Sequence, residues 1–391
     1  MKSSEKDYVI RVFDDPAAID AIAWDALLAA TPSRTPFMRH AYLLALHRSR
    51  SAIAKTGWLP QFLAVFDGDA LLAACPLYLK EHSYGEYVFD WAWADAYQRH
   101  GLEYYPKLLG AVPFTPVPGP RLMARDATAR RVLLRAMQQL ARDAKLSSAH
   151  VLFLDEDDQQ AARDEGWMMR STVQFHWTPA ADAPWPDFPA FLASLQREKR
   201  KKIQQERRKV AEAGVSFVAL EGAQIAPEDW DFFYRCYGQT YREHHSTPYL
   251  TRDFFNRMAA AMPENWLLFV ASQGGERVAA SLICIDPERR SAFGRYWGAV
   301  VHIPCLHFEA CYYQPLAWCI ANGYTRFEGG AQGEHKMARG LLPVQTWSAH
   351  WLAHPQFAQA VSDFLEREGE GVAGYIDELN ERRPFKATGP A

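Results

Sequence analysis

The chain has 391 residues, 49% of them apolar and 13% aromatic, which is enough apolar material for packed cores and excludes long disordered segments. Its formal net charge of −3 excludes a strong overall field of the kind that draws a protein to nucleic acid, so a charged partner would have to meet a local patch. At about 100 to 200 residues per domain, the length predicts two domains.

The amino terminus, MKSSEKDYVIRVFDDP, alternates charged residues with short apolar pieces and lacks the apolar core of a secretory signal. Charges, prolines and glycines interrupt every apolar run before it reaches about 18 residues, the length that crosses a bilayer. We therefore expect a soluble, cytoplasmic protein without a membrane-spanning segment. The six cysteines form no CxxC pair, which argues against a zinc ribbon and predicts buried free thiols.

Two segments have the pattern of a β-hairpin, FLAVFDGDALLAACPLYL at residues 62–79 and LLFVASQGGERVAASLICI at residues 267–285. Each is followed by an aromatic stretch that we interpret as a strand, at residues 85–94 and 291–300. Each stretch is then followed by a tyrosine pair, in HGLEYYPKLL and in HFEACYYQPL. The turns and the tyrosine pairs recur at an offset of roughly 207 residues, which predicts a duplicated domain.

The remaining pattern in each half fits an α/β unit. In the first half, apolar residues at helical spacing predict a helix at residues 127–146, then a strand at AHVLFL and a short helix ending near Gly166. In the second half, FEACYYQPLAWCIANG predicts a helix that Pro315 would kink or shorten, and TRFEGG predicts a short strand.

The Pro- and Ala-rich stretch TPAADAPWPDFPAF predicts a boundary between an N-terminal domain, residues 1–185, and a C-terminal domain, residues 186–391. The second domain would begin with a basic helix at about residues 190–213, in LQREKRKKIQQERRKVAEAG, which stops at Gly214. Its dense positive charge is typical of a solvated face. The same charge is also suited to hold the phosphate oxygens of a nucleotide-linked substrate or of RNA.

The segment RFEGGAQGEHKMARG, at residues 326–340, concentrates groups that can do chemistry. Its glycines lack the spacing of a Walker loop or of a dinucleotide fingerprint. Glu334 and His335 are neighbours that would point apart on a strand, so we expect no metal site. Two interpretations stay open. Lys336 is a surface lysine after a turn, or its ammonium stabilises the oxyanion of an acyl transfer while glycine backbone admits the substrate.

Two further segments carry candidate site residues. In GRYWGA, the neighbours Tyr296 and Trp297 must face opposite sides of a sheet, and strand aromatics more often belong to a core than to a site. The segment TYREHHSTPYLTRDFF, at residues 240–255, holds Arg242 and Tyr249 in a polar stretch. It could be a loop with a helix cap, or a lid over a pocket.

Five segments follow one another along the chain: the basic helix, FYRCYGQTYREHHSTPY, the second hairpin, GRYWGA and YTRFEGGAQGEHKMARG. Their order resembles that of the Fem-type peptidyltransferases. Those are tandem GNAT-fold enzymes that add amino acids from aminoacyl-tRNA to peptidoglycan precursors. Over nearly the whole chain, with GEYVFDWAWADAY and GAQGEHKMARG, the sequence more closely resembles their bacterial FemAB-like relatives, the peptidoglycan biosynthesis/recognition proteins. The resemblance implies an α/β (α+β) fold of two tandem GNAT-like domains, each a mixed, mostly antiparallel sheet flanked by helices.

The resemblance also implies roles for single residues. The glycine pair after the last central strand falls on Gly329 and Gly330, and the lysine that stabilises the transition state falls on Lys336. The strand tyrosine that lines the acceptor site falls on Tyr296. The resemblance places further substrate-binding positions at His335, Arg339 and the basic run Arg200, Lys201 and Lys202. Trp297, Arg242 and Tyr249, from the two segments described above, complete the expected substrate-binding residues. Two departures stand out: His335 occupies a position where those enzymes usually have Phe, and their first-domain lysine that contacts a nucleotide diphosphate has no identified counterpart.

The expected function is transfer of an acyl or aminoacyl group to an amine, with a peptidoglycan precursor as the candidate acceptor. Lys336 would stabilise the oxyanion, Tyr296 would position the acceptor, and Glu334 or the substrate itself would accept the proton. The donor would be aminoacyl-tRNA, which makes tRNA a candidate partner, or acyl-CoA; no other cofactor is indicated.

Two alternatives stay open. One is an acyl-CoA-dependent N-acetyltransferase, although neither half shows the [QR]xxGx[GA] loop that binds the CoA pyrophosphate. The other is a non-catalytic protein that binds peptidoglycan fragments or nucleotide-sugars. The sequence does not define the oligomeric state.

Overall fold

The computed structural model describes residues 8–179, 184–330 and 333–386, and the chain divides into two compact units. The first unit comprises Met1–Thr172 and Gln345–Gly374, and the second comprises Val173–Val344 and Tyr375–Ala391. These units differ from the predicted domains, because residues 345–374 belong to the first unit and residues 173–185 to the second. Residues 180–183 of the predicted boundary stretch lie outside the described residues.

The first unit contains two sheets and the helices that cover them. Its strands and helices are β1 (Val9–Phe13), α1 (Ala21–Ala29), α2 (His40–Arg48), β2 (Trp58–Pro60), β3 (Phe62–Asp67), β4 (Ala70–Cys75), β5 (Leu77–Lys80), α3 (Trp91–Arg99), β6 (Lys107–Gly110), β7 (Met123–Ala124), α4 (Ala127–Asp143), β8 (Ser148–Leu152), α5 (Glu156–Asp164) and the first part of β9 (Met168–Trp177). The order β1-β3-β4-β7 is antiparallel throughout. In the other sheet β8, β6, β5 and β2 are neighbours in that order, and only β6 and β8 run parallel.

Helix α4 shows why the first core forms where it does. Its residues Ala129, Leu133, Met137 and Ala141 recur at helical spacing, and all four are buried against the apolar side chains of the sheet. Asp126 caps the helix by accepting a hydrogen bond from the backbone N–H of Ala129. The predicted helix, the strand after it and the short helix ending near Gly166 are confirmed, the last of them as α5, which ends at Asp164.

The predicted strand at residues 85–94 is wrong, because α3 begins at Trp91 and the residues before it form a loop. The aromatic residues Trp93 and Tyr97 stand one helical turn apart, and both are buried on one side of α3. The matching tyrosine pairs also differ in structure. Tyr104 and Tyr105 precede β6, whereas Tyr312 and Tyr313 lie within a helix, so the local similarity of the two phrases does not extend to their conformations.

Under the loop before α3 lies a buried ionic cluster. Lys107 Nζ lies 2.9 Å from Glu86 Oε2, and it also donates to Asp90 and to Ser83. Burial opposes the charge of Lys107, but the two carboxylates outweigh burial and raise its pKa. Its cross-strand partner Lys80 lies 3.8 Å from the centre of the Trp58 ring. The charges of Lys107, Glu86 and Asp90 offset one another, and this cluster holds the loop before α3 against the sheet.

The second unit is built on one sheet. Its strands and helices are the end of β9, α6 (Phe188–Ser194), α7 (Arg197–Glu212), β10 (Val215–Glu221), α8 (Pro227–Glu243), α9 (Arg252–Ala261), β11 (Trp266–Gln273), β12 (Glu276–Asp286), β13 (Ser291–Ala299), α10 (Leu306–Phe308), a π-helical turn (Glu309–Tyr313), α11 (Gln314–Ala321), β14 (Arg326–Glu328), the beginning of β15 (Leu342–Leu352) and the end of α12 (Pro355–Glu381). The strand order is β10-β11-β12-β13-β14-β9, in which only β13 and β14 run parallel.

Residues 345–374 pack with the first unit for two reasons. The end of β15 pairs antiparallel with β8, from Ser348 opposite Leu152 to Leu352 opposite Ser148. The first part of α12 places Val361 and Leu365 in an apolar cluster with Trp93. Both contacts bury apolar surface that a boundary drawn along the sequence alone assigns to the other domain.

The predicted basic helix is present but begins at Arg197 rather than at about residue 190, where α6 is a separate helix, and it ends before Gly214, whose φ is +72°. Only Ile203, Glu206 and Val210 are buried along it, a narrow stripe that leaves its basic side chains on the outside. Pro315 lies in the first turn of α11, directly after the π-helical turn, so the predicted interruption of this helix is present.

None of the helices in the described part of the chain is both long and apolar enough to cross a membrane. All six cysteines are free thiols, and four of them are buried as predicted, while Cys305 and Cys311 are half-buried.

Helix α8 lies against β13 at Gly298, where any side chain would intrude. A Cβ at this position would overlap the carbonyl oxygen of Cys236 and stand 2.8 Å from Thr240 Oγ1. We predict that Gly298→Ala lowers the free energy of unfolding by about 1 to 3 kcal/mol, because backbone must shift to admit the methyl group. Denaturant unfolding measures the change.

The control is Gly369→Ala on α12, where a Cβ meets nothing within 4 Å. Alanine there should stabilise the chain by about 0.5 to 1 kcal/mol, since it restricts the unfolded state and favours helix. Equal effects of the two substitutions would contradict the packing argument.

Candidate functional site

The second unit opens at the point where its two parallel strands part. Strand β13 pairs with β14 only from Ser291 to Phe293, whereas β13 continues to Ala299 and β14 ends at Glu328. A cavity of about 150 Å³ lies in this opening, and we call it the lysine cavity. It is lined by Ser281, Ile283, Gly294, Arg295, Tyr296, Trp297, His307, Cys311, Tyr312, Phe327 and Gly329.

Gly329 lines the lysine cavity, and Gly330 follows it in the chain. The backbone N–H of Gly329 donates to the carbonyl oxygen of Phe175 at 3.0 Å, which continues the sheet past the end of β14. A Cβ on Gly329 would stand 3.2 Å from that oxygen and 3.3 Å from Lys336 Cδ. Gly330 has a φ of +82°, in the left-handed region that favours glycine. Because these two residues have no side chain, the Lys336 side chain can lie directly against the backbone of Gly329 and Gly330.

Lys336 is buried, with 4% of its surface exposed, in a 3₁₀ helix that spans Glu334–Arg339. Its Nζ donates to the carbonyl oxygen of Gly330 at 3.1 Å, and no carboxylate of the described residues lies within ion-pair distance. Burial lowers its pKa to about 8, against a small opposing effect of Cys311. The interpretation as an exposed lysine after a turn is wrong, because this side chain is inside the unit.

Arg295 is a cation on the lining of the lysine cavity, whereas Cys311 and His307 on the same lining are neutral near pH 7. Ser281 Oγ lies 3.8 Å from Cys311 Sγ, and burial raises the pKa of Cys311 to about 12, so it is a thiol. His307 has its pKa lowered to about 4, chiefly by burial and then by the cations nearby, so it is an uncharged imidazole. Its ring centre lies 5.0 Å from that of Trp297. Lys336 is therefore the group here whose charge changes near neutrality.

A buried ion pair ties the lysine segment to the basic helix. Arg339, 2% exposed, donates to Glu206 Oε2 at 2.9 Å and to the carbonyl oxygen of His335 at 2.6 Å. Its guanidinium lies 3.6 Å from the centre of the Phe308 ring, and the Tyr313 hydroxyl donates to the same Glu206 oxygen. Glu206 is the acid of α7 that turns inward, so the helix and the lysine segment share one buried contact.

His335 points toward the helix that follows β13. Its Nε2 lies 3.2 Å from the Tyr312 hydroxyl, and its ring packs against Phe308. Burial first, and then Arg339 and Lys336, lower the pKa of His335. An uncharged imidazole can share a proton with the Tyr312 hydroxyl in either direction, which phenylalanine at this position could not do.

The two strand aromatics face opposite sides of β13, as predicted. Tyr296 is one of the residues around the lysine cavity, but its ring packs against Tyr237 at 5.2 Å on the α8 side, and its hydroxyl accepts a hydrogen bond from Arg295. Trp297 lies opposite Ser281 in the β12–β13 register and faces His307. The structure thus places the Trp297 ring, rather than the Tyr296 ring, on the side of Lys336.

Glu334, Arg242 and Tyr249 are absent from the described lining of the lysine cavity. Glu334 is exposed and accepts a hydrogen bond from the Tyr375 hydroxyl at 2.6 Å. Arg242, at the end of α8, donates to Gln239 Oε1 at 2.8 Å, and Tyr249 packs against Tyr241.

On α7, Arg200 is half-buried and Lys201 and Lys202 are exposed. Next to them Arg207 forms an ion pair with Glu309 at 3.1 Å. A groove of about 500 Å³ runs beside α7 and β10, with Gln204, Arg207 and Arg208 on its rim. Cations near a groove of this size can meet the phosphates of a large donor.

Sequence reasoning missed Glu206, Ser281, Cys311 and His307. Glu206 carried a signal, since it lies three residues after Ile203 and four before Val210 on the one apolar stripe of the helix. The other three come together only through strand register and through the helix after β13, which the sequence pattern does not specify. Within the described residues, no group of three or more His, Cys, Asp and Glu is placed to hold a metal ion.

A family model described as FemAB-like, peptidoglycan biosynthesis/recognition, matches residues 15–387 of the chain. L-PGS from Bacillus licheniformis is similar in structure with a TM-score of 0.54 at 11% identity, over 90% of this chain and 98% of that one. FemX is similar with a TM-score of 0.52 at 11% identity, over 88% of this chain and 98% of that one. No curated protein matches the chain in sequence.

At these identities, the two structures bear on the fold alone. A tandem GNAT protein from the clavulanic acid biosynthesis pathway has a TM-score of 0.48 at 12% identity, over 89% of this chain and 99% of that one. The predicted fold, mixed α/β in two GNAT-like units with mostly antiparallel sheets, is confirmed.

The contact between Arg339 and Glu206 can be tested by a double-mutant cycle. We predict that Arg339→Met lowers the free energy of unfolding by about 3 kcal/mol, because it leaves a buried carboxylate without its cation. Arg339→Met combined with Glu206→Met should cost less than the sum of the two single substitutions. Urea unfolding of the four chains gives the coupling energy.

An exposed ion pair provides the control. Arg382 and Glu378 lie 2.6 Å apart with more than half of each side chain exposed, so Arg382→Met should change stability by less than about 1 kcal/mol. Equal costs for Arg339→Met and Arg382→Met would show that the buried pair does not hold the lysine segment in place.

Proposed function

The chain belongs to the FemAB-like family, and on that premise we propose that it is a transferase that moves an acyl or aminoacyl group onto an amine acceptor beside Lys336. One observation carries the proposal: a buried lysine without a carboxylate partner among the described residues lies on glycine backbone next to the lysine cavity. An ammonium group in such a place can stabilise the negative charge that develops on a carbonyl oxygen.

In the proposed reaction the acceptor amine attacks the carbonyl carbon of the donor, and a tetrahedral intermediate forms. Lys336 has three N–H donors, of which one is used by the Gly330 carbonyl, so others are available to the oxyanion. Collapse of the intermediate breaks the bond to the leaving oxygen or sulfur of the donor. The amine proton passes to Glu334 or to a group of the substrate itself, while Trp297 and Tyr296 bound the space for the acceptor.

The basic side of α7 supports a donor that carries phosphates. Arg200, Lys201 and Lys202 lie on the helix that Glu206 ties to the lysine segment. The missing CoA loop favours aminoacyl-tRNA over acyl-CoA as the donor, and the family description favours a peptidoglycan precursor as the acceptor.

The test is a transfer assay with two donors and one class of acceptor. The chain is incubated with aminoacyl-tRNA or with acyl-CoA, each with a UDP-linked muropeptide, and the acceptor is weighed by mass spectrometry. A mass gain from aminoacyl-tRNA supports the proposal, whereas a gain from acyl-CoA alone identifies an N-acyltransferase. Binding of the muropeptide without any product identifies a binding protein and sinks the proposal.

The charge of Lys336 predicts the pH profile. With its pKa lowered to about 8, the lysine is an ammonium below that pH and a neutral amine above it. If the ammonium stabilises the oxyanion, kcat falls as the pH rises through about 8. Lys336→Met should lower kcat by roughly 100- to 1000-fold. The measurement is kcat at saturating substrate from pH 6 to 9.5, corrected for spontaneous hydrolysis of the donor.

Lys336→Arg serves as the matched control, because guanidinium stays charged and should abolish the fall above pH 8 while retaining part of the rate. A kcat that instead rises through pH 8 would identify the neutral amine as a general base. An unchanged kcat in Lys336→Met would remove the residue from the mechanism.

The double variant Lys201→Gln/Lys202→Gln tests the basic helix. We predict a several-fold higher KM for the phosphate-bearing donor, an unchanged kcat, and a dependence of log KM on log salt that is flatter by about 1 to 2. Steady-state kinetics between 50 and about 300 mM salt measure both.

The matched control, Lys55→Gln/Lys145→Gln, removes two exposed positive charges from the first unit and should leave KM unchanged. The same KM in both double variants would mean that α7 presents only a solvated face.

A further inference from the structure

A second cavity, of about 260 Å³, adjoins the lysine cavity in the second unit. The two share Trp297 and His307, whose ring centres stand 5.0 Å apart. The second cavity is lined by Thr240, Glu243, His244, Trp297, Ala299, Val300, Val301, His302, Ile303, Cys305, Leu306, His307 and Phe308. The shared residues make the second cavity a neighbour of the lysine cavity.

Apolar side chains supply the larger part of this lining, and Thr240, Glu243, Cys305 and the three histidines His244, His302 and His307 supply the rest. Its main surface comes from Trp297, Ala299, the valines, Ile303, Leu306 and Phe308. Of the polar groups, the Thr240 hydroxyl already donates to the carbonyl oxygen of Trp297 at 2.8 Å, and Glu243 accepts from Gln239 at 3.0 Å. His307 is uncharged, since its pKa is lowered to about 4. The site therefore offers mainly apolar contact area, with Glu243 as the acidic residue on its lining.

No Lys or Arg is among the described residues that line the second cavity, while Glu243 is. A phosphate or diphosphate in this space would meet a carboxylate and no cation, so the cavity is unsuited to the anionic part of a donor. Its volume is several times the roughly 30 Å³ that one water molecule occupies in the liquid, which is room for a branched or aromatic side chain.

We propose that the second cavity holds the side chain of the transferred group, so that the protein selects donors whose acyl or aminoacyl group carries an apolar side chain over acetyl and glycyl donors. This inference rests on the proposed function. The carbonyl would lie at Lys336, the side chain would pass Trp297, and Ala299 and Val301 would set how much of it fits. Ala299 stands two residues after Trp297 on β13 and so shares its face.

The free energy of burying a methylene group sets the expected size of this donor selectivity. Burial of each methylene is expected to raise kcat/KM by about 4-fold, so a leucyl donor should exceed a glycyl donor by on the order of 100-fold. Filling the cavity should remove the advantage of large donors and spare small ones. A general loss of activity would instead lower kcat/KM for every donor by the same factor.

The experiment measures kcat/KM for glycyl, alanyl, leucyl and phenylalanyl donors that share one leaving group. Ala299→Phe and, at a more exposed position, Val301→Trp should each lower the values for leucyl and phenylalanyl at least 10-fold and leave glycyl within about 2-fold. Val218→Phe, on the exposed face of β10, is the control and should leave the order of donors unchanged. The proposal would be overturned if the native chain had its highest kcat/KM with the glycyl donor. It would also be overturned if the variants lowered kcat/KM equally for all donors.

A second readout does not depend on turnover. Saturation-transfer NMR compares leucinamide with glycinamide on the native chain and on Ala299→Phe. A leucinamide signal that Ala299→Phe abolishes supports the cavity assignment even if no donor is turned over, an outcome that would sink the proposed function instead. Equal signals from the two amides on both chains would refute the cavity assignment.

Discussion

The parting of β13 and β14 is the constraint on which the candidate site depends. Two parallel strands that stayed paired would fill the middle of the sheet with backbone hydrogen bonds, but these two pair from Ser291 to Phe293 only. Beyond that point Gly329 and Gly330 carry no side chain into the gap, and Lys336 lies over them. Both cavities border the free part of β13, so their position follows from where the pairing stops.

The distribution of charge follows from that geometry. Glu206 reaches the interior from the basic helix, but Arg339 and Tyr313 use its carboxylate, and Lys336 is left with a backbone carbonyl. Burial without a counter-charge is what brings the pKa of Lys336 down to about 8, and a change of that size corresponds to roughly 3 kcal/mol. Arg339, which pairs with Glu206, keeps its charge at all accessible pH. Lys336, the cation left without a carboxylate among the described residues, can titrate, and it is the one that lies beside the lysine cavity.

Much of this fold could be predicted from local pattern, and the site only in part. The hairpins, α4, α7 and β13 carry periodicities that fix their type, and Lys336 lies in the same short segment as its glycines. The strand predicted at residues 85–94 is wrong. Alternating aromatic residues suit a strand, but Trp93 and Tyr97 are buried at a spacing of four residues, which is the spacing of a helix. The face of Trp297 depends on an irregular register between Leu282 and Ile283, and one inserted residue reverses every side chain beyond it.

Burial of a lysine does not by itself identify a site, and this chain supplies the comparison. Lys107 is buried against Glu86 and Asp90, which raise its pKa and make it part of the framework. Lys80 is buried as well, and its pKa falls to about 7, but the Trp58 ring and the Tyr84 carbonyl cover its ammonium. Lys336 differs from both because Gly329, which lies against its side chain, also lines a cavity. The Lys336 side chain therefore lies beside a space that can hold a substrate, which makes the neighbouring cavity rather than pKa the property that separates a catalytic candidate from a structural lysine.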